Sequence, residues 1–253
     1  MAVDTLLSYL FDGKRHPLAA PLERWLVASP RFAAFAATYR DKIRKKIRGL
    51  RDAESRRDLQ LELEIAYLLL QDRQFTVAYE PYASEKIRGP DFAVTFKTQA
   101  IFNLEVTRMR GARPIVAGSI QGASHPGQDQ LQPVAVQQPI NRRLSDIICS
   151  KLGQLQPGMM NILLVAIDRR AVEEIDVGKT VQHLKERAEA GDLALFHRHG
   201  LRSRSEFFKA YQRLSSLLVR SSDDGGISAF ESLWINSQAK HPLPNDIRTR
   251  LQR

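Results

Sequence analysis

The residues best suited to do chemistry lie on a predicted β-hairpin formed by residues 89–96 and 102–107. Strict alternation places the apolar side chains on one face and puts Asp91 and Glu105 on the other. If the turn centres near residues 97–99, Asp91 pairs with Glu105 or one of the next two residues, and directly opposed Cβ atoms lie about 4.5–5.5 Å apart. Two carboxylates that close repel each other unless a positive group lies between them. The pattern therefore predicts a site for a divalent cation that prefers oxygen ligands, such as Mg²⁺.

The elements around the hairpin would hold it within a sheet. Periodicity predicts a long helix at 53–72 and a strand at 75–82, and the continuous apolar run at 161–167 is typical of a strand buried on both faces. Residues 111–139 are poor in apolar side chains and rich in Gly, Gln, Pro and Ser, which predicts a long loop before a helix at 140–155. This order favours an α/β (α+β) fold with a central mixed sheet flanked by helices.

The two ends of the chain add further elements. Residues 1–50 are predicted to be helical with interruptions at Pro17, Pro21 and Pro30, and to form an N-terminal extension to a domain at 51–253. The last third predicts helices at 180–190 and 205–211, strands at 214–219 and 230–235, and a short C-terminal helix.

The motifs Pro90-Asp91 and Glu105-Val106-Thr107, in this order of elements, resemble the PD-(D/E)xK nuclease superfamily, which has the restriction-endonuclease-like fold. The resemblance covers roughly residues 54–168. It implies hydrolysis of phosphodiester bonds with Mg²⁺, for which Mn²⁺ can substitute. It also implies that Asp91, Glu105 and the backbone carbonyl of Val106 bind the metal. The alternative is an ordinary amphipathic hairpin whose polar face meets solvent.

The sequence departs from the family pattern at Thr107, where a lysine is expected two residues after the glutamate. Threonine carries no positive charge and does not titrate near neutrality. Lys151 could substitute, because it follows the helical spacing of a stripe formed by Leu144, Ile147, Ile148 and Leu155. Some members of the family carry the lysine on this helix, and Gln154 could then orient a phosphate or a water. A snorkelling or solvent-facing lysine is the alternative reading.

The first helix of the family often supplies one more acidic residue. Glu62 and Glu64 are the candidates, and they project about 200° apart, so only one can face the sheet. Glu62 has more apolar neighbours and is the one predicted to point inward, as a catalytic residue and metal ligand. A solvated helix face for both is the alternative.

Positive charge is concentrated just before this helix. Of the total formal charge of +10, residues 40–57 carry nine Lys or Arg against three acids, a local net of +6. Such a cluster favours binding to a nucleic-acid backbone, although most charge runs are solvated helix faces. The predicted nucleic-acid-binding residues are Lys42, Arg44, Lys45, Lys46, Arg48, Arg51, Arg108 and Arg110.

Composition sets further bounds. The single cysteine, Cys149, excludes an intramolecular disulfide and a cysteine metal cluster, which favours a reducing compartment. No apolar run approaches the roughly 20 residues needed to span a bilayer, and the first residues lack the basic segment of a secretory signal. We therefore expect a cytoplasmic location and no membrane partner.

These features predict a Mg²⁺-dependent endonuclease-type phosphodiesterase that acts on DNA in preference to RNA. One alternative is a catalytically inactive nucleic-acid-binding module of the same fold, which Thr107 favours. Another is a protein-interaction domain that uses the basic helix. A homodimer and a protein partner that supplies specificity both remain open, because nothing in the sequence specifies a base sequence.

Overall fold

A computed structural model describes residues 2–82, 89–110, 139–223 and 226–252. It is an α/β protein with a six-stranded mixed sheet flanked by helices. The strands are β1 (Phe75–Tyr79), β2 (Phe92–Phe96), β3 (Ala100–Arg108), β4 (Met160–Asp168), β5 (Leu214–Asp223) and β6 (Gly226–Ile235). The helices are α1 (Val3–Phe11), α2 (Ala19–Ala28), α3 (Pro30–Thr38), α4 (Arg40–Arg48), α5 (Ala53–Gln71), α6 (Ile140–Leu152), α7 (Arg169–Val172), α8 (Val177–Glu189), α9 (Leu193–Arg198), α10 (Arg204–Tyr211) and α11 (Asn245–Leu251).

The strands lie in the sheet in the same order as in the chain. β2 is antiparallel to both of its neighbours, β1 and β3, and β6 is antiparallel to β5, whereas β3, β4 and β5 are parallel. Parallel neighbours require a crossover connection. The connection from β3 to β4 contains α6, so this helix packs against the sheet close to the hairpin.

The predicted hairpin is confirmed. Phe92 pairs with Leu104 and Phe96 pairs with Ala100, so the turn lies at residues 97–99. Lys97 and Thr98 adopt φ values of 48° and 62° there. The apolar residues alternate along both strands and are buried: Phe92, Val94, Phe96, Phe102, Leu104 and Val106.

The sheet has a separate apolar core on each face. One core joins the apolar face of the hairpin to α1–α5 and α11, and the other joins β4 and β5 to α6 and α8–α10. β4 contributes to both, because Leu164 lies in the first core and Leu163 and Val165 lie in the second. This explains its continuous apolar run, since alternate side chains of a central strand enter opposite cores.

Helix α5 begins and ends close to the predicted bounds. Its N-cap Asp52 accepts a hydrogen bond from Ser55 N at 2.7 Å, and the Ser55 hydroxyl accepts one from Asp52 N at 3.2 Å. Together they form a capping box that defines the start of the helix. The N-terminal helices pack into the same core as α5, so residues 1–50 share their apolar interior with the rest of the fold.

Several element boundaries differ from the sequence prediction. Pro21 lies within the first turn of α2 instead of interrupting it, where the missing N–H costs no helical hydrogen bond. β1 ends at Tyr79 rather than at residue 82. The short helices α7 and α9 were not predicted, and the predicted loop at 111–139 lies, apart from its last residue, outside the described residues. In the described part of the chain, no helix has the length and apolarity to cross a membrane.

Candidate active site

The candidate site lies at the end of the β1–β2 pair, where residues 105–108 of β3 extend beyond β2. The register pairs Phe92 with Leu104, so the next position outward brings Asp91 opposite Glu105. Here the side chain of Asp91 takes the place of a backbone carbonyl as the acceptor: its Oδ2 accepts a hydrogen bond from Val106 N at 2.8 Å. The N–H and C=O of one strand residue point to the same side. The Val106 carbonyl, named as a metal ligand by the resemblance, therefore also points toward the Asp91 side of β3.

Glu105 is buried within the sheet and reaches α6. Its Oε1 lies 2.6 Å from Lys151 Nζ, and the two side chains are 4% and 15% exposed. Its second oxygen, Oε2, is buried without a hydrogen-bond partner. A buried carboxylate oxygen without a donor is costly, so this atom indicates a place where a positive group would bind favourably.

Lys151 lies in the last turn of α6, at the margin of the buried stripe. The fully buried centre of that stripe is Leu144, Ile148 and Leu152, so the predicted stripe through Lys151 was displaced by about one residue. From the margin of the stripe, the ammonium group of Lys151 reaches Glu105. Gln154 lies beyond the helix end rather than within it, and its Oε1 is 3.5 Å from Lys151 Nζ.

The structure places the ammonium of Lys151 beside Glu105, whereas the strand position expected for a lysine holds Thr107. Thr107 lies two residues after Glu105 and pairs with Val165 of β4, so it shares the face toward α6. It contributes no charge. The positive charge of this part of the site therefore comes from α6 and not from β3.

Glu62 enters the same region from α5. Its Oε2 accepts a hydrogen bond from the Tyr79 hydroxyl at 2.8 Å and lies 2.5 Å from Lys46 Nζ. Lys46 also contacts Glu80 Oε1 at 2.8 Å. The predicted carboxylate of α5 is thus held by residues of α4 and of the end of β1.

The pKa of Asp91 shows that the three carboxylates interact. Burial first, and then the negative charges of Glu62 and Glu105, raise the pKa of Asp91 well above its ordinary value of 3.8. The hydrogen bond from Val106 N and the charge of Lys46 act in the opposite direction. The charged form of Asp91 is therefore disfavoured, first by burial and then by the two neighbouring carboxylates.

Tyr79 is affected by the same charges. Burial, together with Glu62, raises the pKa of its hydroxyl well above the ordinary value, and Glu80 and Asp91 act in the same direction. The hydroxyl therefore stays protonated and serves as a hydrogen-bond donor to Glu62. Sequence reasoning missed Tyr79, Glu80 and the position of Lys46. The spacing offered one signal, since Lys46 lies three residues after the buried Ile43 on α4.

The donor set fits a divalent cation. Glu105 Oε2 lacks a partner, Asp91 is destabilised as a carboxylate, and the Val106 carbonyl points toward the Asp91 side of β3. Hard oxygen ligands of this kind suit Mg²⁺ or Mn²⁺. Within the described residues, however, no group of three or more His, Cys, Asp or Glu side chains is already arranged to hold a metal ion. Lys46 engages one oxygen of Glu62, and Lys151 engages one oxygen of Glu105.

Glu64 differs from its predicted environment. Its sequence neighbours predict that it lies on the more polar side of α5, yet Glu64 is only 9% exposed. The reason is that the N-terminal helices cover this side as well. Tyr67, one turn further along on nearly the same side of the helix, stacks on Trp25 and meets Phe32 edge to face.

Most of the predicted nucleic-acid-binding residues make contacts within the chain. Lys42 Nζ donates to the carbonyl oxygens of Tyr79 and Glu80, each at 2.9 Å. Ion pairs engage most of the others: Arg44 and Arg48 with Asp12, Lys46 with Glu62 and Glu80, Arg108 with Glu54 and Asp58, and Arg110 with Asp58. Lys45 and Arg51 are exposed to solvent. The basic segment therefore contributes to internal structure more than its sequence indicates.

Comparisons of this chain with protein-family models, with curated proteins and with solved structures found no significant match.

Proposed function

We propose that this chain is a metal-dependent nuclease of the PD-(D/E)xK superfamily, with a restriction-endonuclease-like core, and that it hydrolyses DNA in preference to RNA. The observation that carries the proposal is the contact of Lys151 with Glu105, at 2.6 Å, beside the carboxylate of Asp91. This combination places an ammonium group and two carboxylates at one end of a hairpin. The order of the strands and the position of α6 also agree with the core that the resemblance implies.

In this proposal, Asp91, Glu105 and the carbonyl of Val106 hold a Mg²⁺ or Mn²⁺ ion, and Glu62 adds a ligand directly or through water. The bound ion would stabilise charge on a phosphate and lower the pKa of an attacking water. Glu105 offers its Oε2 atom for this purpose, because Oε1 is engaged by Lys151.

The ammonium of Lys151 has three N–H donors. Glu105 accepts one of them, and Gln154 Oε1 lies at the limit of hydrogen-bond distance. The remaining donor can bind a phosphate oxygen and stabilise the negative charge that develops on it during hydrolysis. The amide of Gln154 can orient a water or a phosphate oxygen. Both side chains are held by the end of α6, so their position relative to Glu105 depends on the packing of that helix.

A catalytically inactive nucleic-acid-binding module of the same fold is the second candidate. Two observations favour it: Thr107 occupies the expected lysine position, and the described residues contain no preformed group of three metal-binding side chains. A protein-interaction domain that uses the basic helix has less support. Arg44, Lys46 and Arg48 of α4 are already paired with acids of this chain.

The test is cleavage of a substrate panel with Mg²⁺ or Mn²⁺. The panel contains supercoiled, linear, single-stranded and branched DNA together with RNA, and the proteins are wild type, Asp91→Ala, Lys151→Ala and Lys179→Ala. We expect cleavage by wild type and by Lys179→Ala, which changes a lysine of α8 that is 86% exposed, and a loss of at least about a hundredfold in the other two variants. Thermal unfolding of each variant would exclude loss of the fold as the cause.

Three other outcomes are informative. Loss of cleavage in Asp91→Ala alone would keep the nuclease and remove Lys151 from its mechanism. Binding to DNA that weakens with salt, without cleavage of any substrate, would favour the inactive module. Absence of both binding and cleavage would contradict both candidates.

A further inference from the structure

Lys46 lies at an acidic cluster formed by Glu62, Glu80 and Asp91. It belongs to α4, outside the segment that resembles a nuclease. Its Nζ lies 2.5 Å from Glu62 Oε2 and 2.8 Å from Glu80 Oε1. The same atom lies 4.8 Å from the centroid of the Tyr79 ring. One ammonium group therefore bridges two carboxylates above an aromatic face.

The surroundings of Lys46 distinguish it from an ordinary surface ion pair. Its side chain is 27% exposed, and those of Glu62 and Glu80 are 17% and 29% exposed. Burial disfavours the ammonium form, but the charges and hydrogen bonds of Glu62 and Glu80 outweigh it, so the pKa of Lys46 is raised. Lys46 therefore remains a cation in this cluster and partly neutralises it.

We propose that Lys46 is an internal counter-ion that competes with the divalent cation for the carboxylate of Glu62. Glu80 provides the alternative partner that retains the ammonium group when Glu62 turns toward the metal. This inference rests on the proposed function, because it assumes a metal ion at Asp91 and Glu105 to which Glu62 adds a ligand directly or through water. Its consequence is that α4 sets the metal concentration at which the site fills.

The direction in which metal affinity changes when Lys46 is replaced distinguishes this proposal from a purely structural role. If Lys46 competes, removing its charge makes the carboxylate cluster more negative and strengthens metal binding, by about tenfold for one nearby unit charge. If Lys46 only positions Glu62, its removal leaves Glu62 less well ordered and weakens metal binding. Glutamine is a suitable replacement because it keeps part of the aliphatic stem and a polar end but carries no charge.

The experiment is a calorimetric Mn²⁺ titration of the full chain at constant pH and ionic strength. The proteins are wild type, Lys46→Gln, Lys45→Gln and Asp91→Asn. Lys45→Gln is the matched control, since it removes a charge from the adjacent, exposed position on α4. We expect affinity about tenfold tighter in Lys46→Gln, changed less than about twofold in Lys45→Gln, and strongly reduced in Asp91→Asn.

A second measurement uses the wild-type protein and does not depend on a folded variant. Trace labelling with a lysine-acylating reagent, read by mass spectrometry, compares Lys46 with Lys45 in the presence and absence of Mn²⁺. Displacement of Lys46 from Glu62 should raise its labelling rate severalfold while that of Lys45 stays constant. An unchanged rate at Lys46, in protein that binds Mn²⁺, would overturn the proposal.

The outcomes also separate this inference from the proposed function. Mn²⁺ binding that is lost in Asp91→Asn but unchanged or weakened in Lys46→Gln would overturn the competition and leave the metal site intact. Absence of Mn²⁺ binding in wild type and in Lys46→Gln alike would overturn both.

Discussion

Lys151 Nζ and Glu105 Oε1 lie 2.6 Å apart, although 46 positions separate the two residues in the chain. The pair joins the last turn of α6 to the middle of the sheet. Because the glutamate side chain is only 4% exposed, its charge depends on this one lysine for compensation within the described structure. The contact is therefore a structural link between the two elements as well as part of the candidate site.

Removing the lysine should destabilise the protein. Lys151→Met leaves a buried carboxylate without its partner, for which a loss of about 3–5 kcal/mol in the free energy of unfolding is typical. The double variant Lys151→Met/Glu105→Gln removes the charge as well and should recover much of that loss. Urea denaturation of metal-free protein measures both values. Equal stability of the single and double variants would contradict the dependence of Glu105 on Lys151.

The pKa of Asp91 predicts a pH dependence of stability. Since the folded state binds this proton more tightly than the unfolded state, the stabilisation is fully present below about pH 4 and is lost as the pH rises through the raised pKa. Each unit of upward shift corresponds to about 1.4 kcal/mol. Asp91→Asn stays neutral, so metal-free wild type should lose stability relative to this variant as the pH rises from about 4 through the raised pKa of Asp91.

Urea denaturation in the presence of a chelator, at several pH values in that window, tests this expectation. The difference between the two proteins isolates Asp91 from the other titrating groups. Parallel stability profiles across the window would show that the pKa of Asp91 is not raised. Adding Mg²⁺ should reduce the difference if the ion binds the ionised carboxylate.

Gly89 should be sensitive to substitution because of its contact with Tyr82. A Cβ atom at Gly89 would lie 2.7 Å from Tyr82 Cβ, closer than such atoms normally approach. Gly89→Ala should therefore shift the chain next to Asp91 and lower both cleavage and melting temperature. Gly153→Ala is the matched control, since its added Cβ would have no neighbour within 4 Å. Similar melting temperatures for the two variants would contradict the contact.

The exposed and the paired basic residues should behave differently toward DNA. Replacing Lys45 and Arg51 with alanine should weaken binding and reduce its salt dependence, while stability changes by less than about 0.5 kcal/mol. Arg108→Ala should instead destabilise the fold by about 1–3 kcal/mol, because Arg108 joins β3 to Glu54 and Asp58 of α5. Fluorescence anisotropy at several salt concentrations and urea denaturation test the two effects. If only Arg108→Ala reduced the salt dependence, Arg108 rather than Lys45 and Arg51 would be the residue that contacts DNA.

The elements predicted well from the sequence are those with a strong local pattern. The hairpin follows from alternation, β4 from its apolar run, and α5 from its periodicity. The helices α7 and α9 are too short to show a periodic pattern, which explains why they were missed.

Only part of the candidate site could be predicted in the same way. The proximity of Asp91 and Glu105 follows from the register of one hairpin. The positions of Lys46 and Tyr79 depend instead on how α4 packs across the end of β1, a contact that no local pattern encodes. The burial of Glu64 has a similar cause, because it results from covering by helices far away in sequence.

The distance along the chain between β3 and α6 also matters during synthesis. A ribosome makes the carboxylates of Asp91 and Glu105 well before it makes Lys151, and the ammonium group reaches Glu105 only once α6 has folded back against the sheet. An incomplete chain would therefore hold the acidic residues without their lysine. Until α6 has been made, Glu105 would lack the ammonium group that compensates its buried charge in the folded protein.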